Sequence, residues 1–259
     1  RASPPSPRPP PPCATWIAYG STAAAVLAFN GGTAYDTVSH WTERNADDRA
    51  DFIRDGIPLQ EAFNVNAAMV MLLALGAIGA MTILSEYSSG TIRTTFSAVP
   101  ARRAVMTAKA TVLTTFTTLF GALLAAASFF LTQAILNTQN AGVPITHPGA
   151  LRVVIASALL APVCALAGMA LATIFRQTAS TMIAVVGVLV VAPFMLSDDR
   201  HWTAIAAHTL PFKAWLRLTE INPSPTPFPW TPTGAWTVYT LWLLAAAALT
   251  ITATHRRDH

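Results

Sequence analysis

The residues best suited to specific chemistry lie in one polar stretch, Ser85 to Lys109, reading SEYSSGTIRTTFSAVPARRAVMTAK. Glu86 places a carboxylate at the end of an apolar block, Gly90 breaks the helix that block would form, and Thr91 is suited to cap a new one. In that new helix Ile92, Phe96 and Val99 fall at i, i+4 and i+7, opposite Arg93, Thr94 and Ser97, and Pro100 ends it. The spacing predicts a short amphipathic helix lying parallel to a membrane between two spans. The plainer alternative is an interfacial turn anchored by Arg102 and Arg103.

Other constellations carry less. No G-x-x-x-x-G-K-[ST] loop occurs, so the chain has no phosphate cradle of that kind and no expected cofactor of its own. His201 and His208, near Asp198 and Asp199, are seven apart without a ligand-spacing motif, so no metal site is expected. Cys13 and Cys164 read as structural thiols too far apart to pair. A stripe of small and hydroxyl residues, Thr107, Thr111, Thr114, Thr118, Gly121, Ala125, Ser128 and Thr132, alternates steps of four and three and so shares one helix face. Ala158, Ala161, Ala165, Gly168 and Ala172 form a second such face. Small faces let helix backbones approach closely, which is the plain reading; the second is a weakly polar lining for a path, with Thr111, Thr114, Thr118 and Ser128 as its candidates.

The elements that must position these residues are membrane spans. Of 259 residues, 53% are hydrophobic and 11% charged, far below the roughly 25% charged of a soluble domain. The apolar residues fall in blocks of about 20, the length that crosses a ~30 Å hydrocarbon layer. The expected fold is all-α: a polytopic membrane protein with six transmembrane helices at about 16–35, 64–84, 110–136, 153–175, 178–196 and 235–253. Residues 1–15 form a Pro-rich leader, with seven prolines between Arg1 and Pro12, and 16–259 a single transmembrane domain. The first block, with Gly20, Asn30, Gly31 and Gly32, is the weakest span; a signal peptide cleaved at Gly32-Thr33-Ala34 is the alternative. Asp36 to Glu61 is an acidic outer loop with a short surface helix around Trp41 to Arg54. Trp202 to Leu218 is apolar enough to dip into the outer interface before Pro223 to Pro229 leads into the last span, which predicts a partly re-entrant outer segment. Pro162 predicts a kink in the fourth span.

The net charge of +4 comes from basic residues scattered beside apolar blocks, which points to a membrane surface and not to nucleic acid. Arg93, Arg102, Arg103, Lys109, Arg176, Arg256 and Arg257 sit tightly against span ends, so those segments and both termini are expected in the cytoplasm, in a plasma (inner) membrane. The last five apolar blocks contain no Asp, Glu, Lys or Arg. A proton or sodium carrier, or an intramembrane hydrolase, would need such groups at depth. Energy for transport must then come from another protein.

Glu86, Gly90-Thr91-Ile92-Arg93-Thr94-Thr95, Pro100, Arg102 and Lys109 together resemble the first cytoplasmic loop of permease subunits of type-2, exporter-type ATP-binding-cassette transporters, particularly actinobacterial ones. The resemblance implies a coupling helix that docks on a separate ATPase, with Glu86 and Arg93 in polar contact and Ile92 and Phe96 as apolar anchors. It further implies two cytoplasmic ATPase subunits that hold ATP and Mg2+, and a second permease, identical or homologous. The Pro-rich leader stands where such proteins carry a basic amphipathic helix, and the first outer loop is unusually acidic. The cargo expected for spans offering only hydroxyls and apolar surface is hydrophobic or amphipathic: a drug, antibiotic, peptide or lipid. The rival reading is a non-transporting immunity or sensor subunit that binds a partner through the acidic loop.

Overall fold

The computed structural model describes residues 12–89, 102–196, 200–222 and 227–253, and among them the chain is helical with no strand. Helix α1 (Pro12–Ser39) is followed by a 3-10 turn (Trp41–Glu43), α2 (Ala46–Arg54), α3 (Ile57–Glu61) and α4 (Val65–Ser89). Then come α5 (Arg102–Leu136), a 3-10 turn (Asn137–Gln139), α6 (Ala150–Phe175) and α7 (Thr178–Val186). A π-helical turn (Gly187–Val191) joins α7 to α8 (Ala192–Met195), and α9 (His201–His208), α10 (Pro211–Thr219) and α11 (Pro232–Ala253) complete the chain.

Five helical stretches are long and apolar enough to cross a membrane: Ile57–Ser85, Arg103–Gln139, Ala150–Phe175, Thr178–Met195 and Pro232–Thr252. Helix α1 has 28 residues and packs along α4 and α5, but is not among those five. Its Gly, Ser, Thr and Asn content explains the lower hydropathy. The helices outrun the apolar blocks at their ends. Helix α5 begins at Arg102 rather than near residue 110, because a charge bars a residue from lipid but not from a helix.

Helix α6 is the axis, with α4, α5, α7, α10 and α11 all against it. Its small-residue face makes this possible. A Cβ added to Gly79 of α4 would stand 1.9 Å from the Ala165 carbonyl oxygen, and one on Gly168 of α6 would stand 1.9 Å from that of Gly76. On the other flank a Cβ on Gly121 of α5 would meet the Ala158 carbonyl oxygen at 2.3 Å. These are backbone-to-backbone crossings, which only the absence of a side chain permits. The helix runs through Pro162 without interruption. Around it Met71, Leu72, Leu75, Leu160, Cys164 and Met169, all fully buried, make one continuous core.

The segment before α11 is a helical hairpin. Trp242, midway along α11, donates its indole N–H to the Thr209 carbonyl at the hairpin turn (2.7 Å). Trp215 of α10 donates to Ser157 Oγ of α6 (3.1 Å) and sets its ring edge-on to Phe63. The hairpin turn therefore lies alongside α11 instead of above it. Its ascending arm is fixed at the top by Arg152, which donates to the Glu220 carbonyl (2.7 Å), and by Arg217, which binds Glu220 Oε2 (3.0 Å) and the Trp230 carbonyl (2.7 Å). The loop after α1 is shorter in helix than the sequence suggests. Asn45 accepts the Asp48 N–H (2.7 Å) and so starts α2 at Ala46, while Trp41 packs edge-on against Phe52.

Candidate functional site

The loop expected to bind a partner joins α4 to α5. Gly90, Thr91, Ile92, Arg93, Thr94, Phe96 and Pro100 lie outside the described residues. Glu86 stands in the last turn of α4, one turn before Ser89, and Arg102 opens α5. Both helices are rooted in the core immediately behind these ends. Ile83 and Leu84 of α4, Met106 and Ala110 of α5, and Met169 and Ala172 of α6 are buried in one cluster. A force applied to residues 90–101 therefore reaches helices that touch α6 by backbone.

The hydroxyl stripe of α5 divides into two halves. Toward the Arg102 end, Thr107 and Thr111 are exposed and Thr114 and Thr118 half-buried. Each donates to the carbonyl four residues earlier, Thr111 to Thr107 (2.9 Å), Thr114 to Ala110 (2.7 Å) and Thr118 to Thr114 (2.7 Å). Hydroxyls satisfied in this way present a weakly polar, mostly apolar surface. Toward the other end, Gly121, Ala125, Ser128 and Thr132 are buried. The helix thus turns one face fully into the bundle at its Leu136 end and only partly at its Arg102 end. Thr111, Thr114 and Thr118 share a strip at the edge of the bundle, exposed at Thr111 and half-buried at the other two, whereas Ser128 is sealed inside.

Ser128 belongs to a polar cluster that sequence reasoning did not single out. It donates to the Ala62 carbonyl (2.8 Å) and accepts from Asn30 Nδ2. The Asn30 Oδ1 takes the Asn64 N–H (2.9 Å), and Asn64 Nδ2 bonds Thr33 Oγ1 (2.9 Å). Nearby, Gln133 donates to the Pro58 carbonyl and accepts the Val143 N–H, both at 2.8 Å. These bonds pin α1, α3, α4 and α5 together at the Asn64 end of α4. The one available signal was the run Asn30-Gly31-Gly32, whose polarity made the first span look weak; that polarity is what the cluster uses.

Glu61, nine-tenths buried, accepts from Thr37 Oγ1 (2.7 Å) through one carboxylate oxygen, and its other oxygen has no hydrogen-bond partner. At the exposed end of α1 the Asp36 carbonyl accepts from His40 Nδ1 (3.0 Å) and the Asp36 carboxylate lies 3.5 Å away. The carbonyl bond first, then the charges of Asp36 and Glu43, raise the His40 pKa above the ordinary imidazole value. His201 packs edge-on to Phe228, and His208 stacks flat on Trp230 at 4.4 Å. Among the described residues no three His, Cys, Asp or Glu side chains come together as a metal site.

An all-helical bundle with five membrane-length apolar helices, a backbone-contact axis and a folded-back outer hairpin defines a multi-pass membrane protein. The family model described as ABC-2 family transporter protein matches residues 16–191, well over half of the chain, which therefore belongs to that family. The chain is thus a membrane permease subunit of an ABC transporter. Neither a curated protein nor a solved structure matches it.

Proposed function

We propose that the chain is the permease of an ATP-driven exporter that carries a hydrophobic or amphipathic substrate out of the cell. The observation that carries this reading is the family match, which spans α1 to the π turn and encloses the whole loop between α4 and α5. In this reading α1 is also a span, the first of six, so both termini face the cytoplasm of a plasma membrane. Two cytoplasmic ATPase subunits hold ATP and Mg2+ and grip the coupling helix of two permeases. Glu86 and Arg93 make the polar contacts, Ile92 and Phe96 the apolar anchors, and Gly90, Thr91, Thr94, Pro100 and Arg102 shape the segment. ATP-driven closure of the ATPases pulls on that segment and moves α4 and α5. The path runs between the two permeases. Support for that location comes from the strip of Thr111, Thr114 and Thr118, exposed at Thr111 and half-buried at the other two, with weakly polar, locally satisfied hydroxyls.

The test is reconstitution of the chain with its co-purified ATPase in vesicles. Glu86→Lys and Phe96→Asp are each expected to retain basal ATP hydrolysis and to lose at least tenfold in ATP-dependent efflux of a lipophilic dye. Full transport in both variants, with insertion intact, would refute the coupling assignment. Absence of any ATPase from the native complex would refute the exporter.

A further inference from the structure

The helix from Thr178 to Met195 carries a feature that the permease reading leaves unused. Its buried residues are Thr181, Val185, Leu189 and Pro193, each four apart. A step of four overshoots a 3.6-residue turn by about 40°, so three steps in a regular α-helix would swing Pro193 roughly 120° away from Thr181. The π turn at Gly187–Val191 removes that drift. Its Ala192 N–H donates five residues back to the Gly187 carbonyl, which accommodates one extra residue and returns the outer end to the bundle face.

The two flanks of this turn are held by different parts of the protein. On the inner side Val185, just before the turn, and Leu189, within it, straddle Gly76 of α4, at 2.8 and 3.0 Å from where a Cβ on that glycine would stand. On the outer side Phe194 lies against Phe212 of α10, ring centroids 5.8 Å apart, and so touches the hairpin. Within the turn Leu189 is buried in the core, whereas Gly187, where the turn begins, faces open space: a Cβ there would meet no atom within 4 Å. Pro193 lacks an N–H, so no donor is lost when the turn resolves beside it. A π turn of this kind is an inserted residue that a helix can take up by straightening.

We infer that the π turn is a register switch. In the form seen here Phe194 faces Phe212; when the turn straightens, everything outward of Ala192 rotates by about 100°, one residue of α-helix, and Pro193 takes the place of Phe194. Movement of α4 is then passed through Gly76, Val185 and Leu189 to the outer hairpin. The role in transport rests on the permease reading; the two-register helix does not.

Cysteines at 194 and 212 (Phe194→Cys with Phe212→Cys, in a Cys13→Ser, Cys164→Ser background) report the register by disulfide cross-linking in native membranes. Cross-linking is expected to be high at rest and to fall at least fivefold when ATP hydrolysis in the complex is trapped with vanadate. Deleting Val188 removes the inserted residue while leaving both flanks aligned. In that background the same pair is expected to cross-link equally with and without trapping, and efflux is expected to be lost. If cross-linking still falls in the deletion, the hairpin moves independently of the turn and the proposal is wrong. Unchanged cross-linking on trapping in the full-length chain, or normal efflux from the deletion, also overturns it. Should the deletion fail to accumulate, the full-length pair decides alone. Cross-linking of the deletion without nucleotide needs no ATPase, so its result stands even if the exporter reading fails.

Discussion

Replacing Gly168 by alanine adds one methyl group at the tightest point of the bundle. Its Cβ would sit 1.9 Å from the Gly76 carbonyl oxygen and 2.7 Å from the Gly76 carbonyl carbon, both backbone atoms that cannot rotate away. Reaching ordinary contact requires α4 and α6 to part by more than ~1 Å at the crossing, which costs about 1–3 kcal/mol by analogy with overpacked cores. Because Gly79 of the same helix crosses just as closely, where an added Cβ would stand 1.9 Å from the Ala165 carbonyl oxygen, both contacts loosen together. At ~2–4 °C per kcal/mol for a chain of this size, the melting temperature in detergent should fall by about 2–12 °C. Cys164 supplies a second readout at the same crossing, since it is fully buried and its thiol reacts with a fluorescent maleimide only when the helices separate. With Cys13 replaced by serine, Gly168→Ala should label at lower temperature than the parent. Gly20→Ala and Gly32→Ala, whose added Cβ atoms meet nothing within 4 Å, serve as controls and should be neutral or slightly stabilising. If Gly168→Ala melts with the controls, the axis is not held by backbone contact and the reasoning fails.

Two further outcomes are expected. Ser128→Ala leaves the Asn30 amide and the Ala62 carbonyl without their partner and should destabilise by about 1–3 kcal/mol; a double-mutant cycle with Asn30→Ala should show a coupling of ~0.6–1.7 kcal/mol, and additive effects would dissolve the cluster. His40, raised in pKa by the Asp36 carbonyl and by the Asp36 and Glu43 charges, should titrate by NMR above the ordinary imidazole range. Its contribution to holding the end of α1 is present in full below the unfolded pKa and is lost as pH rises through the folded one. Asp36→Asn keeps the carbonyl and removes one charge, so the midpoint should fall part of the way; an unmoved midpoint would contradict that origin.

The hydropathy of the chain carries the bundle because burial in lipid requires length and apolarity, both of which a sequence displays directly. Five of the apolar blocks lie in helices long and apolar enough to cross a membrane, and the charged first turns of α5 extend that helix beyond its block. The stripe Ala158, Ala161, Ala165, Gly168 and Ala172 was legible too, since small residues at helical spacing have few other uses, and it forms the close crossings on both sides of α6. Three features were not legible. The stripe on α5 reads as one face in an ideal helix, yet the bundle fully covers only its half toward Leu136, a matter of tertiary packing. The Asn30 cluster joins residues 98 positions apart, and no local pattern announces that pairing. The π turn hides in GVLVV, whose composition is that of any span; only the fourfold spacing of Thr181, Val185, Leu189 and Pro193, read once burial is known, exposes it.

The distribution of contacts also says which parts of this permease can move at small cost. Helix α6 is gripped through backbone atoms by α4 at Gly76 and Gly79 and by α5 at Gly121, and such crossings have no side chains whose rotamers could absorb a shift. A displacement delivered between Ser89 and Arg102 must therefore move α4 and α5 as rods against a fixed axis. The helix from Thr178 to Met195 is different: it meets α4 through the side chains of Val185 and Leu189, and little of its surface is covered. Side-chain contacts slide where backbone contacts lock. A bundle whose apolar blocks carry no charge has only such mechanical paths from one side of the membrane to the other, and this helix, seated on α4 at one end and on the outer hairpin at the other, is where the structure leaves one open.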